Sequence, residues 1–280
     1  MQNKTLNYEG KKIAYRTSGS GPMVVLLHGF GEESSVWKGQ YEIFSRHQLL
    51  VPDLPGSGQS EAIDDMSMEG LADAVKAMID AEQHGLPLTP SLGGAGRGQV
   101  VLIGHSMGGY ITLAFAEKYP QYLRSFGLFH STAYADSEEK KETRRKGIRF
   151  IEEHGAAEFL KTATPNLYAP DNRKQHPEWI EEHLAAIRNF SGASLVSYYA
   201  SMIERPHRTA VLKQSQVPVL FVIGRHDAAV PLQDSLQQCH LPQIAYIHIL
   251  ENSGHMGMKE ELNEASQILS QFVNTTEKTA

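Results

Sequence analysis

The chain has 280 residues, with 26 Lys and Arg against 32 Asp and Glu, for a formal net charge of −6. That balance excludes a basic nucleic-acid binder as the default reading. Hydrophobic residues at 41% and charged residues at 21% predict a globular protein with a sizeable core, too apolar to be disordered.

From the N-terminus, residues 5–8 and 12–16 flank Glu9-Gly10, a turn signal between strand-like pieces, and predict an antiparallel hairpin. Short apolar runs follow at 23–27, 49–51, 100–103, 126–129, 217–223 and 244–250. Runs of this kind suit strands buried on both faces, as in a parallel sheet covered by helices. Between them, Met68, Leu71, Ala72, Val75, Met78 and Ile79 keep helical spacing, as do Leu262, Ala265, Ile268, Leu269 and Phe272. Alternating strand and helix predicts an α/β, doubly wound sheet. Two segments interrupt it. Residues 83–98, rich in Gly and Pro, are expected as a loop. Residues 131–206 hold helical stretches and no buried-strand run, and are expected as a helical insertion in a core made of 1–130 and 207–280. No apolar stretch opens the chain and no run nears the ~20 residues of a membrane helix, so a cytoplasmic protein without a membrane span is expected.

The chemistry-bearing string is Gly104-His105-Ser106-Met107-Gly108, between a strand and a helix. A sharp strand-to-helix turn lifts the serine hydroxyl out of the sheet edge, and flanking glycines allow neighbouring chain to come close. The helix N-terminus aims N–H groups at any oxyanion formed there. Serine is a poor nucleophile unaided and needs a base and an orienting acid. Asp227 follows the run 217–223, and His255 follows 244–250. Ends of parallel strands open onto one sheet edge, so Ser106, Asp227 and His255 can converge there.

In this order of Ser, Asp and His the sequence resembles the α/β-hydrolase superfamily. The resemblance extends from His28-Gly29-Phe30-Gly31 through Asp53-Leu54-Pro55-Gly56-Ser57-Gly58 and the serine turn to the helix after His255. It implies a mostly parallel eight-stranded sheet flanked by helices, with a helical cap over the site. It also implies Ser106 as nucleophile, Asp227 as acid, His255 as base, and the N–H groups of Phe30 and Met107 as oxyanion donors; Asp136, beyond 126–129, is the rival acid, because some members of the family carry theirs after that strand. A serine in that position argues against the dehalogenase and epoxide-hydrolase branches, which use Asp there. The loop at 83–98 is longer than the family's usual connection, and 256–261 lacks a proline often found after the histidine.

Other candidates have plainer explanations. Cys239 is expected as a buried, inert thiol, His105 as pointing away from the serine, and Asp53 as organising a turn. Thirteen histidines show no metal-ligand spacing, and exposed helix positions account for His176 and His183. Lys140, Lys141, Arg144, Arg145 and Lys146 interleave with Glu138, Glu139 and Glu142, a pattern expected of a solvated helix face with a Glu142–Lys146 pair. Phe150, Phe159, Tyr168, Trp179, Phe190, Tyr198, Tyr199 and Met202 in the insertion predict a mainly apolar pocket for an acyl or alkyl group. The expected function is a cofactor-free, metal-free serine hydrolase of a small carboxylic ester, lactone or thioester. A carbon–carbon hydrolase with the same residues and a ligand-sensing protein of the same fold are the alternatives.

Overall fold

A computed structural model describes residues 1–83 and 100–278. The strands are β1 (Gln2–Tyr8), β2 (Lys11–Ser18), β3 (Met23–Leu27), β4 (Gln48–Pro52), β5 (Val100–His105), β6 (Leu123–Phe129), β7 (Val219–Gly224) and β8 (Ala245–Leu250). They form one eight-stranded sheet in the order β1-β2-β4-β3-β5-β6-β7-β8. β1 and β2 make the expected antiparallel hairpin, β2 pairs antiparallel with β4, and every later pairing is parallel.

Helices α1 (Met68–Gln83) and α2 (Met107–Lys118) precede β6. Between β6 and β7 lie α3 (Glu138–His154), α4 (Ala156–Ala163), α5 (Pro170–Gln175), α6 (Pro177–Ala186), α7 (Gly192–Glu204) and α8 (Thr209–Gln214). α9 (Leu232–Leu236), α10 (Gly257–Glu260) and α11 (Leu262–Lys278) complete the chain. The loop expected at 83–98 lies outside the described residues apart from Gln83, which ends α1.

Strand periodicity explains how one sheet makes two cores. Met23, Val25 and Leu27 pack with Leu71, Val75, Ile111 and Phe115 of α1 and α2. Val24 and Leu26 face the other way, toward Trp37 and the α11 residues Ile268, Leu269 and Phe272. Every residue of β3, β5 and β7 is buried. Each large apolar side chain so buried contributes about 1.5–3 kcal/mol. β8 departs from the expectation of a strand covered on both faces. It is the terminal strand of the sheet, and Ile247 stays 46% exposed.

Because the parallel strands run the same way, the segments after β3, β5, β6, β7 and β8 emerge at one edge. Those segments begin with His28, Ser106, His130, Arg225 and Glu251.

Candidate active site

Ser106 joins β5 to α2 with φ 51° and ψ −115°, a left-handed backbone conformation in which L-residues are strained. The turn is tight enough to require its glycines. A Cβ on Gly104 would sit 2.1 Å from the Gly108 carbonyl oxygen, and one on Gly108 would sit 2.6 Å from that of His28. Ser131 Oγ donates to the Ser106 carbonyl at 2.7 Å and braces the turn from the segment after β6. Met107 is the first residue of α2, so its N–H has no helical acceptor. The Phe30 N–H is also uncommitted among the described residues. The Phe30 ring stacks on Tyr199 of α7 at 4.2 Å.

Asp227 and His255 meet as expected: His255 Nδ1 lies 2.7 Å from Asp227 Oδ2. The other carboxylate oxygen accepts from the N–H groups of Ala229 and Val230, each at 2.8 Å. Burial opposes the charge on Asp227, but His255 and His130 outweigh it and hold the carboxyl well below its ordinary range. Ser106 and His255 line one cavity of about 490 Å³, with no hydrogen bond between them.

Asp136, the rival acid, does not approach His255. Its carboxylate accepts from Arg144 Nε at 2.5 Å and from an Arg205 Nη at 2.9 Å. Burial would raise its pKa, yet the two guanidinium groups pull it down to about 2. Asp53 organises its turn as expected, accepting from the N–H groups of Ser34 and Gln59. Cys239 is buried, and desolvation pushes its thiol up to about 11, so it is not a thiolate at neutral pH.

Three buried groups that sequence reasoning did not select support the site. His130 Nδ1 stands 3.2 Å from Asp227 Oδ2. The N–H groups of Gly224 and Gly257 approach its two ring nitrogens at 3.1 and 3.3 Å. One imidazole cannot accept from both and also donate to Asp227. Donating from Nδ1 and accepting at Nε2 is the tautomer that gives the carboxylate a donor. Burial pulls the His130 pKa down to about 4, so the ring is neutral. His130, Asp227 and His255 could together reach a metal ion, as their ligand atoms lie within 4.8 Å of one another. Their mutual hydrogen bonds account for this proximity without one.

The other two are Glu32 and His105. The His105 ring does point away from Ser106, as expected. Nδ1 lies 2.9 Å from Glu32 Oε2, and Nε2 lies 2.9 Å from the His255 carbonyl oxygen. Both neighbours only accept, so both ring nitrogens carry protons and His105 is an imidazolium. Burial opposes that charge, but Glu32 more than offsets it, and the His105 pKa is raised. Glu32 Oε2 also accepts from the Gly29 N–H at 2.7 Å. One fully buried ion pair thus ties together the segments carrying Phe30, Ser106 and His255. No spacing signal links Glu32 to His105 across the chain.

Three expectations need correction. Arg144 does not belong to a solvated helix face: its side chain is only 13% exposed and lines the cavity, as does Lys140. Glu142 pairs with Arg145 and Arg149, not with Lys146. The cavity is therefore apolar at Phe30, Leu160, Leu167, Met202 and Val230 but cationic on the α3 side. His183 is also less exposed than expected; it lies half-buried with Nδ1 3.2 Å from the Tyr168 hydroxyl.

Comparison with known proteins agrees with this architecture. An esterase from Thermogutta terrifontis, solved with malate bound, superposes with a TM-score of 0.86 at 28% identity, covering 99% of both chains. The (E)-2-((N-methylformamido)methylene)succinate hydrolase of Acinetobacter baylyi is 26% identical over 99% of this chain and all of its own length. The 2-hydroxy-6-oxo-6-phenylhexa-2,4-dienoate hydrolase of Comamonas testosteroni is 24% identical over 93% of this chain and 91% of its own. An uncharacterized protein of Mycobacterium tuberculosis is 31% identical, but the match spans only 32% of that protein's length. Among the described residues no helix is long and apolar enough to cross a membrane. With the alpha/beta hydrolase profile matching residues 24–265 and the strand order above, the chain belongs to the alpha/beta hydrolase family.

Proposed function

We propose that the protein is a serine hydrolase that cleaves a small carboxylic ester, lactone or thioester through an acyl-enzyme on Ser106. The observation that carries this reading is the Asp227–His255 hydrogen bond of 2.7 Å beside a serine presented on a strained turn into the same cavity. His255 Nε2 removes the Ser106 proton, and Oγ attacks the acyl carbonyl carbon. The N–H groups of Phe30 and Met107 stabilise the resulting oxyanion. The C–O bond to the leaving group breaks, or C–S in a thioester, and His255 returns the proton to the departing oxygen or sulfur. Water then attacks the acyl-enzyme, giving its proton to His255, and the carboxylic acid leaves as Ser106 is restored. Asp227 holds the imidazole in the productive tautomer and stabilises its charged form, and neutral His130 holds Asp227. No metal or cofactor enters this sequence. Residues 131–206 act as a cap over the core of 1–130 and 207–280, and Leu160, Leu167, Tyr199 and Met202 of the cap, with Phe30, form the apolar wall.

The names of the full-length relatives, an esterase and two hydrolases, support this reading. The Comamonas testosteroni relative also supports carbon–carbon hydrolysis as a second reading. A fluorophosphonate probe, with simple esters and a vinylogous diketone as substrates, tests both. Ester turnover and stoichiometric labelling lost in Ser106→Ala are expected. Labelling that survives this change would overturn the nucleophile, and turnover of the diketone alone would favour the second reading.

A further inference from the structure

The cavity's cationic wall carries more charge than its partners neutralise. Arg144 and Arg205, whose side chains are 13% and 3% exposed, share a single carboxylate, that of Asp136. Arg205 Nη1 and Nη2 also donate to the carbonyls of Met202 and Tyr134, and its guanidinium stacks 3.8 Å from the Tyr110 ring centre. Arg144 uses Nε and Nη2 on Asp136. Its Nη1 meets no protein acceptor among the described residues, and neither does the Tyr110 hydroxyl. Both residues line the cavity with Ser106. Lys140, bonded to the Ala229 carbonyl at 2.8 Å, adds a further cation.

The remaining acids do not cancel this charge. Glu32 is committed to His105, and Asp227 to His255 and His130. Glu139 and Asp234 line the mouth but are exposed, where solvent screens them. Although burial disfavours phenolate, the Tyr110 pKa is lowered by Arg205, Lys140 and Arg144, a sign of the positive potential at that wall. A buried cation without its own counter-charge is costly. The guanidinium pair exceeds Asp136 by one charge, which a singly charged carboxylate matches, with Arg144 Nη1 as the open donor.

We propose that Arg144, flanked by Tyr110 and Lys140, is a recognition site for a carboxylate carried by the substrate away from its reacting carbonyl. The substrate class is then a carboxylate-bearing ester, such as the half-ester of a dicarboxylic acid, held with its aliphatic portion against Phe30, Leu160 and Met202. This rests on the serine-hydrolase reading and narrows it.

The test compares kcat/KM for matched esters: monophenyl glutarate against phenyl pentanoate for an acyl-side carboxylate, and butyryl glycolate against ethyl butyrate for one on the alcohol side. The wild type is expected to favour the charged member of at least one pair. In Arg144→Met the charged-to-neutral ratio is expected to fall about 10- to 100-fold, the effect of one charge-assisted contact. Arg144→Lys should fall between the two. Using a ratio within each variant separates recognition from partial misfolding. In the wild type, glutarate should inhibit hydrolysis of the neutral ester more strongly than glutaramide or inorganic phosphate. A ratio unchanged by Arg144→Met, no wild-type preference in either pair, or inhibition by phosphate equal to that by glutarate would overturn the proposal. Turnover of both members that persists in Ser106→Ala would instead overturn the underlying hydrolase mechanism.

Discussion

Replacing Asp227 by Asn probes the mechanism at a single hydrogen bond. Two N–H groups, those of Ala229 and Val230, fix the orientation of the carboxylate by bonding to Oδ1 at 2.8 Å. An Asn side chain keeps both bonds only by placing its carbonyl oxygen there. Its NH₂ group then occupies the position of Oδ2, 2.7 Å from His255 Nδ1. Since NH₂ can only donate, Nδ1 must accept, and the imidazole proton moves to Nε2. In the proposed mechanism Nε2 takes the Ser106 proton, so the base is lost with the geometry intact. The expected cost is about 10⁴-fold in kcat, or roughly 5 kcal/mol of transition-state stabilisation. Initial rates of phenyl ester hydrolysis between pH 6 and pH 9, with a thermal melt of each variant, measure it. A kcat within tenfold of wild type in the Asn variant would refute the reasoning. A larger loss in Asp136→Asn, whose carboxylate bonds Arg144 and Arg205, would transfer the acid role to Asp136.

Two further predictions concern the buried charges. Glu32→Gln strips the anion from a fully buried pair and is expected to cost about 3–5 kcal/mol of stability, with kcat falling more than KM changes, because Phe30 and His255 lose a common tie. Glu32 is held at about 2, below its ordinary 4.5, so its contribution is present above pH 4.5 and is lost as pH falls toward 2. His105 is raised above 6.5, so its contribution is full below pH 6.5 and is lost as pH rises through the folded value. Denaturant melts across this range should show the wild-type advantage over Glu32→Gln greatest between pH 4.5 and 6.5; equal profiles would show that the pair stabilises nothing. Asp136→Asn leaves two guanidinium groups without their carboxylate and should cost about 3 kcal/mol at pH 7. With Asp136 lowered from 3.8 to about 2, that difference should shrink as pH falls below 3.8, and a difference independent of pH would contradict the ion-pair account.

What was legible in the sequence follows from the range of the interactions involved. Runs such as 23–27 and 100–103 can be read as buried strands because burial on both faces leaves no polar alternation, and the turn around Ser106 carries its own glycines. Asp227 and His255 could be placed because a parallel sheet brings strand ends together. The exact end of a strand is less legible: β6 begins at Leu123, where Arg124 breaks the apolar run. Glu32, His105 and His130 were missed because their partners are set by contacts across the sheet edge, with no local spacing to betray them. Arg144 was missed for another reason. Weighing the charge run as a whole hid the helical period that puts Arg144 on one face with Gly147, Ile148 and Ile151. Gly147 on that face lies so close to Tyr199 that a Cβ would come within 2.6 Å of the ring.

The backbone at Ser106 has a consequence for how the chain can change. A non-glycine residue held at φ 51°, ψ −115° costs on the order of 1–3 kcal/mol, against total stabilities of roughly 5–15 kcal/mol for natural domains. Folding alone would be better served by glycine at this position, since only glycine adopts that conformation without strain. Fitness for chemistry and fitness for stability therefore pull the same codon in opposite directions. If Ser106 is the nucleophile as proposed, a descendant released from that role would gain stability by exchanging the serine for glycine, which removes the Cβ.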